Sequence, residues 1–521
     1  MDLVEIFKND IMKKLFFLLF VFILTVNSNA QDKPNVVFIL ADDLGWSDVT
    51  LYGNTKFYET PNLERLAARG VTYTNAYAAS PLCSPTRSSI LTGQTPLRTG
   101  ITAPTAHLEK ELLKASLEEN PNSENKAVNC ISVSRLDNKL PTLVKQFKKA
   151  GYSTAHFGKW HLGREPYSPL QHGFDIDIPH WPGPGPAESF VAPWKYPSFK
   201  EKYAQEHIED RMAEEAVSWL RNVDKSKPFF MNYWQFSVHA PFDAKETLKK
   251  YYSSKVDLTD LQHSSTYAAM IHSLDQAVGR LLDEIDRLGL ADNTIIVFTS
   301  DNGGNMYNGI IDFLPSGEKY ITPPTSNRPL RGGKATLYEG GIRVPTIISC
   351  PGVATPRTKS DQIIQSIDFY PTLLNLTNIP LPKDHIVDGM DITPTLKGET
   401  IERDGIITFF PHQPKVPDWL PASISVRSGD WKLIRIFHLG KDFKHGYRLY
   451  NLKWDIGEHN DLSEVYPEKI IELDKIIENR IAESNAVIPI PNKTFDPSKF
   501  APESIGVQAG GYKGVKKIEL N

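Results

Sequence analysis

Two short apolar runs, each ending in acids, constrain this chain more than any other feature. Val36-Val37-Phe38-Ile39-Leu40 leads into Ala41-Asp42-Asp43, and Ile295-Ile296-Val297-Phe298 leads into Ser300-Asp301-Asn302-Gly303. A continuous apolar run of this length, bounded by turn residues, reads as a strand buried on both faces of a parallel sheet. Open α/β sheets bind ligands at the carboxyl ends of their strands, where Asp42-Asp43 and Asp301-Asn302 both fall. The alternation continues along the chain. Thr60-Pro61 opens a helix that closes at Gly70, and Val71 to Ala78 alternates like a strand. Leu140 to Ala150 is amphipathic and leads into the strand-like Ser153 to Phe157. Phe229 to Phe236 and Val344 to Ser349 read as further strands, and Ser264 to Leu288 as a long helix. The expected fold class is α/β: a large, mostly parallel sheet sandwiched by helices, spanning residues 31–400.

The pattern changes beyond Glu402. Ile406 to Phe410, Ser423 to Arg427, Trp431 to Ile436 and Tyr447 to Leu452 read as short strands. Ser428-Gly429-Asp430 marks a hairpin between two of them, and Pro467 to Ala486 is a charged amphipathic helix. Residues 401–521 are therefore expected to form a smaller antiparallel subdomain with one helix and an extended tail. Two stretches interrupt the scaffold: residues 180–197, dense in Pro, Gly and Trp, and residues 304–328, which lack a period. Long irregular insertions near strand ends tend to carry function.

The N-terminus has the order of a secretory signal. Lys13 and Lys14 precede an apolar run from Leu15 to Val26, and Asn27-Ser28-Asn29-Ala30 follows. Residues 1–30 are the expected signal peptide, which places the mature chain in the periplasm or outside the cell. The apolar run is short for a membrane span, so no anchor is expected after cleavage. Met12 is an alternative initiator, because the eleven residues before it are unlike a signal's basic start. A net charge of -4 excludes a general nucleic-acid binder, which needs an excess of Lys and Arg. Any grip on an anion must come from a local pocket. Three cysteines, Cys83, Cys130 and Cys350, are too few for a disulfide framework in a chain of 521 residues.

Hard oxygen ligands at Asp42, Asp43, Asp301 and Asn302, without thiolate or His-rich spacing, suit calcium or magnesium and not zinc. Cys83, at a strand-to-helix junction, reads either as a buried structural thiol or as a thiol beside helix amides that favour negative charge. Its neighbourhood is more specific. Cys83-Ser84-Pro85-Thr86-Arg87 resembles the formylglycine signature of the type I sulfatases, in which the cysteine is oxidised to an aldehyde. Gly158-Lys159-Trp160-His161-Leu162-Gly163 resembles the second signature of that family, and His239-Ala240-Pro241 its His-x-Pro element. Ser300 to Gly303 is similar to its metal loop, and Leu330 to Lys334 with Gly341 to Pro345 to its lysine loop.

The resemblance implies one calcium ion held by Asp42, Asp43, Asp301, Asn302 and oxidised Cys83. It implies that Arg87 orients the formylglycine hydrate and that Lys159 and Lys334 bind sulfate. His239 would protonate the leaving alcohol, and His161 would take the proton from the second hydroxyl of the hydrate. One hydroxyl would attack sulfur and the other would give an internal route for sulfate release, which serine lacks. A formylglycine-generating maturation enzyme is then a required partner. Export, a site on a sheet edge and the irregular insertions favour a sulfated carbohydrate as substrate over a small aryl or steroid sulfate. Two rival readings remain: a phosphonate monoester or phosphodiester hydrolase of the same superfamily, and a non-catalytic glycan-binding relative. Discrimination between sugars is expected from His180, Trp181 and Trp194 in the first insertion, and from Arg328 at the end of the second. Indole faces suit sugar rings and arginine suits a further anionic group, although tryptophan also packs under loops.

Overall fold

The computed structural model describes residues 33–514, so the expected signal peptide lies outside the described residues. Among the described residues no helix is long and apolar enough to cross a membrane. The centre of the molecule is an eight-stranded sheet. Its strands are β1 (Asn35–Ala41), β2 (Val71–Tyr73), β3 (Ser153–Gly158) and β4 (Ile176–Ile178). The other four are β5 (Phe229–Trp234), β6 (Thr294–Ser300), β7 (Thr346–Ser349) and β8 (Thr358–Ser360). They lie in the order β8-β2-β7-β6-β1-β5-β3-β4. The run from β6 to β4 is parallel throughout, and β7 alone opposes both of its neighbours. The fold is α/β, with a mostly parallel sheet.

The period of two explains how a run such as Val36 to Leu40 can be apolar at every position. Val37, Ile39 and Ala41 enter one core, and Val36, Phe38 and Leu40 enter the other. The second core is closed by α1 (Cys83–Thr92), α2 (Leu143–Lys149) and an additional helix at Phe369–Leu376. The first is closed by α3 (Ile208–Asn222) and α4 (Ser265–Arg287). Ser264 caps α4 by accepting the Tyr267 N–H at 3.2 Å. With both faces covered, binding chemistry is left to the strand ends.

Four further strands, β9 (Ile406–Phe410), β10 (Ser423–Ser428), β11 (Trp431–Ile436) and β12 (Gly446–Asn451), form an antiparallel meander. Ser428 pairs with Trp431 across a two-residue turn in which Gly429 takes a φ of 52°. The helix Pro467–Ser484 lays Leu473 and Ile477 on Ile424, Val426, Leu433 and Leu449 of this sheet. The tail does not simply extend away. Ile490–Pro491 pairs with Ala127–Val128, and Lys513 pairs with Asn308.

The stretch 304–328 contains a hairpin, Ile310–Phe313 with Lys319–Thr322. Its polarity is inverted: Asp312 is buried while Ile311 and Phe313 are exposed. The Asp312 carboxylate accepts from Ser264 Oγ at 2.7 Å and Thr266 Oγ1 at 2.5 Å, so it is buried to anchor the start of α4. That inversion hides the strand period in the sequence.

Candidate active site

The parallel ladder continues past the strand ends and aligns the loops that follow. Asp42 N–H donates to Ser237 O at 2.8 Å, Asp301 N–H to Ala41 O at 3.1 Å, and Lys159 N–H to Trp234 O at 2.8 Å. Side chains following β1, β6, β3 and β5 therefore meet at one edge of the sheet. Gly158 is required there: its φ is 104°, and a Cβ would sit 1.9 Å from Trp234 O. Glu209 of α3 fixes the segment after β5, accepting Phe236 N–H at 2.8 Å and Ser237 N–H at 2.7 Å. Burial pushes the Glu209 carboxyl up to about 7.

Within this edge, Asp42, Asp43, Asp301 and Asn302 are fully buried. Lys159 Nζ lies 2.6 Å from Asp42 Oδ2, and Lys334 Nζ lies 2.7 Å from Asp43 Oδ2. Arg87, on the face of α1, donates through Nε to Asp301 Oδ2 at 2.9 Å and through an Nη to Lys159 O at 2.8 Å. Its guanidinium also stands 5.3 Å from the Trp234 ring centroid. Asn302 Nδ2 donates to Asp43 Oδ1 at 2.8 Å. Burial, with Asp301 and Asp43 alongside, drives the Asp42 carboxyl well above its usual range despite Lys159 and Arg87. Burial also opposes ionisation of Asp43, but Lys334, with Lys159 further off, outweighs it and brings Asp43 down to about 2.

Cys83 opens α1 with its thiol buried, and burial raises its pKa. Its Sγ lies 3.3 Å from His161 Nδ1. His161 holds a left-handed φ of 53°, and its carbonyl accepts from Ser84 Oγ at 2.6 Å. His239 keeps Nδ1 2.6 Å from Ala240 O, which leaves Nε2 facing Asp43 at 3.9 Å. Burial, and then the nearby lysines, hold both imidazoles well below the usual histidine range, so both are neutral. The structure thus brings Cys83, Arg87, Lys159, His161, His239, Lys334 and the four oxygen-bearing residues into one cluster.

The four residues expected to recognise the sugar divide. Trp194 is corrected: it is 3% exposed and packs against Tyr196 and Phe199, so its faces are closed to a sugar. Trp194→Ala should cost about 3–5 kcal/mol of stability and lower activity on every substrate alike, as thermal melting with parallel assays would show. Trp181 is half-buried, with its Nε1–H donated to Gly185 O at 2.8 Å. With His180, Trp160, Arg164 and Pro182 it lines a cavity of about 290 Å³. His180 is exposed and places Nδ1 2.7 Å from Asp177. Arg328 is exposed beside a second cavity of about 390 Å³, lined also by Asn327, Arg331 and His459. That cavity adjoins the lysine loop: Asn327 Nδ2 and the Lys334 N–H both donate to Gly304 O at 3.0 Å.

Two residues at the site carry no sequence signal. His107 lies in an irregular segment without a motif, yet its Nδ1 is 3.0 Å from His161 Nε2. Tyr307 shares the field of the site: burial raises its phenol, Lys334 lowers it, and Asp43 and Cys83 raise it further. The tail grips its backbone, with Lys513 N–H donated to Tyr307 O at 2.9 Å.

A buried constellation of three acids, two lysines, an arginine and two neutral histidines at a sheet edge suits the binding and hydrolysis of an anionic ester. The Sulfatase family model matches residues 34–379, so the chain belongs to the sulfatase family and is a sulfuric ester hydrolase. The model for the C-terminal region of N-sulphoglucosamine sulphohydrolase matches residues 333–486. N-acetylgalactosamine-6-sulfatase of Rattus norvegicus is 34% identical over 404 residues, covering 72% of this chain and 68% of that protein. A sulfatase of Formosa agariphila is 30% identical over 501 residues, covering 83% and 85%. The crystal structure of Ps i-CgsB in complex with k-i-k-neocarrahexaose superposes with a TM-score of 0.69 at 25% identity, covering 87% of this chain and 94% of that one.

Proposed function

We propose that this sulfatase hydrolyses sulfate esters on a sulfated oligosaccharide or polysaccharide outside the cytoplasm, using formylglycine made from Cys83 and one calcium ion. The observation that carries the reading is the placement of Cys83 Sγ 3.3 Å from His161 beside three buried aspartates. The donor set fits a hard cation. Asp42 Oδ1 and Asn302 Oδ1 are buried without a hydrogen-bond partner, a costly arrangement that a cation would relieve. Asp42, Asp43 and His239 also present ligand-capable atoms within 4.8 Å of one another. His239 is assigned to proton transfer instead, because an all-oxygen set suits calcium. Asp42, Asp43, Asp301 and Asn302, with the oxidised side chain of residue 83, would hold the ion. The glycan assignment is supported by the relative named for N-acetylgalactosamine-6-sulfate chemistry and by the neighbour crystallised with a neocarrahexaose. Residues 31–400 would form the catalytic unit and residues 401–521 its buttress.

Hydrated formylglycine would supply two hydroxyls on one carbon, one as nucleophile and one as the route for sulfate release. The remaining work falls to this chain's side chains. Lys159 and Lys334 would turn from Asp42 and Asp43 towards sulfate oxygens, and Arg87 would orient residue 83. His239 Nε2 would carry the proton to the leaving alcohol. Its neutral state in a lysine-rich site is offset by the arriving anion, which favours protonation. His161 Nδ1, facing residue 83, would accept the proton released there.

Two results are expected. Chelation should abolish turnover, and calcium but not zinc should restore it; restoration by zinc alone would overturn the ligand assignment. His239→Ala should slow hydrolysis of a sugar sulfate about 10²–10³-fold and of nitrophenyl sulfate less than about tenfold, since only the sugar alcohol needs a proton to leave. Equal losses would place His239 on the sulfate. Assays on aryl sulfate and aryl phosphonate in parallel separate this reading from a phosphonate hydrolase.

A further inference from the structure

We propose that His107 is a positioning residue for His161, accepting its Nε2 proton and so keeping Nδ1 unprotonated towards residue 83. This rests on the sulfatase reading above and adds a residue that the family motifs do not contain. A neutral imidazole has one N–H and one lone pair, so the partner of one nitrogen decides the chemistry of the other. His161 Nδ1 faces Cys83 Sγ at 3.3 Å, and His161 Nε2 faces His107 Nδ1 at 3.0 Å. In one tautomer Nδ1 carries the hydrogen and cannot act as a base. In the other, Nε2–H is donated to His107 and the Nδ1 lone pair is free.

The second arrangement requires His107 to carry its own hydrogen on Nε2. His107 is half-buried, and the Pro104 backbone lies within hydrogen-bond reach of its ring, so that carbonyl or water can take a hydrogen on Nε2. Its Nδ1 is then left as an acceptor. The segment that presents it is built rather than loose: Arg135, 2% exposed, donates to Ala106 O at 2.8 Å and to Ser134 O at 2.7 Å. Ser132 Oγ accepts Thr102 N–H at 2.9 Å and Ala103 N–H at 3.1 Å. On the other side, Ser84 holds the His161 backbone in place. When Nδ1 accepts a proton, the charge is shared along Nε2–H to His107 Nδ1. No bond other than those to hydrogen changes between the two rings.

The test uses full-length enzyme carrying ¹⁵N-labelled histidine rings, with His161→Asn to assign the signal. Wild-type His161 should show protonated Nε2 and bare Nδ1. His107→Phe keeps a ring but removes the acceptor, and should give a mixture of tautomers and a kcat about 10²-fold lower on nitrophenyl sulfate, with KM unchanged. His107→Asn, whose amide oxygen can take the place of Nδ1, should restore the tautomer and return kcat to within about tenfold of wild type. A wild-type His161 protonated at Nδ1 would overturn the proposal, whatever the variants do. So would an unchanged tautomer in His107→Phe, or equal losses in both variants. The ring spectra need no turnover, so failure of the sulfatase reading would appear separately, as inactivity of every form on sulfate esters.

Discussion

Cys83→Ala should lower turnover by about 10⁴-fold or more, with the fold intact. The expectation of lost activity follows from the proposed nucleophile: alanine has no sulfur to oxidise. Cys130 lies against Val487 O at 3.3 Å, near the C-terminal sheet, and all three cysteines are unpaired. The expectation of an intact fold follows from packing. Cys83 contributes one buried sulfur whose recorded polar contact is His161, and alanine suits the first residue of a helix. A stability change of about 1 kcal/mol is expected, small beside the kinetic loss. Thermal melting with assay on aryl sulfate separates the two. Retention of more than about a hundredth of wild-type turnover would contradict the nucleophile assignment.

Lys432→Ala should destabilise the protein by about 3–5 kcal/mol. Lys432 is fully buried between two carboxylates, 2.9 Å from Glu339 and 2.8 Å from Glu458. Glu339 also accepts from the Tyr77 hydroxyl at 2.8 Å, and its own N–H donates to Glu458 Oε2 at 2.6 Å. Burial pushes Glu458 up to about 7 even with Lys432 beside it, a sign of how poorly this site tolerates an unpaired acid. Without the ammonium, two buried acids would face each other across the junction of the two sheets. The damage should reach the active site, because Arg331 at the base of the lysine loop donates to Glu458 O at 3.0 Å. KM for sulfate esters should therefore rise as stability falls. A loss below about 1 kcal/mol would show that water or a rearranged arginine replaces the lysine.

The parts of the fold that the sequence reveals are those where local pattern and tertiary role agree. Val36 to Leu40 and Ile295 to Phe298 are apolar at every position because both faces of the sheet are covered, and their acids mark the strand ends. The hairpin at Ile310–Phe313 stays hidden because Asp312 is buried for capping, while Ile311 and Phe313 face outwards. At the site, Asp42, Lys159 and Asp301 are legible because each directly follows a strand, and Cys83 because it opens a helix, whereas Lys334 in its loop is legible only through its motif. His107 is illegible because its role depends on one distance, 3.0 Å to a ring 54 residues away. Trp194 shows the converse. Composition makes it a candidate for stacking on sugar, but the loop folds over it, and only packing reveals which tryptophan stays accessible.

The oxidation of Cys83 is tested most directly by the mass of the tryptic peptide spanning residues 70–87, taken from active enzyme produced together with a formylglycine-generating enzyme. An aldehyde in place of the thiol at residue 83 is the expected result, with its fraction rising in proportion to specific activity across preparations. A fully active preparation whose peptide carries only the unmodified cysteine would contradict it.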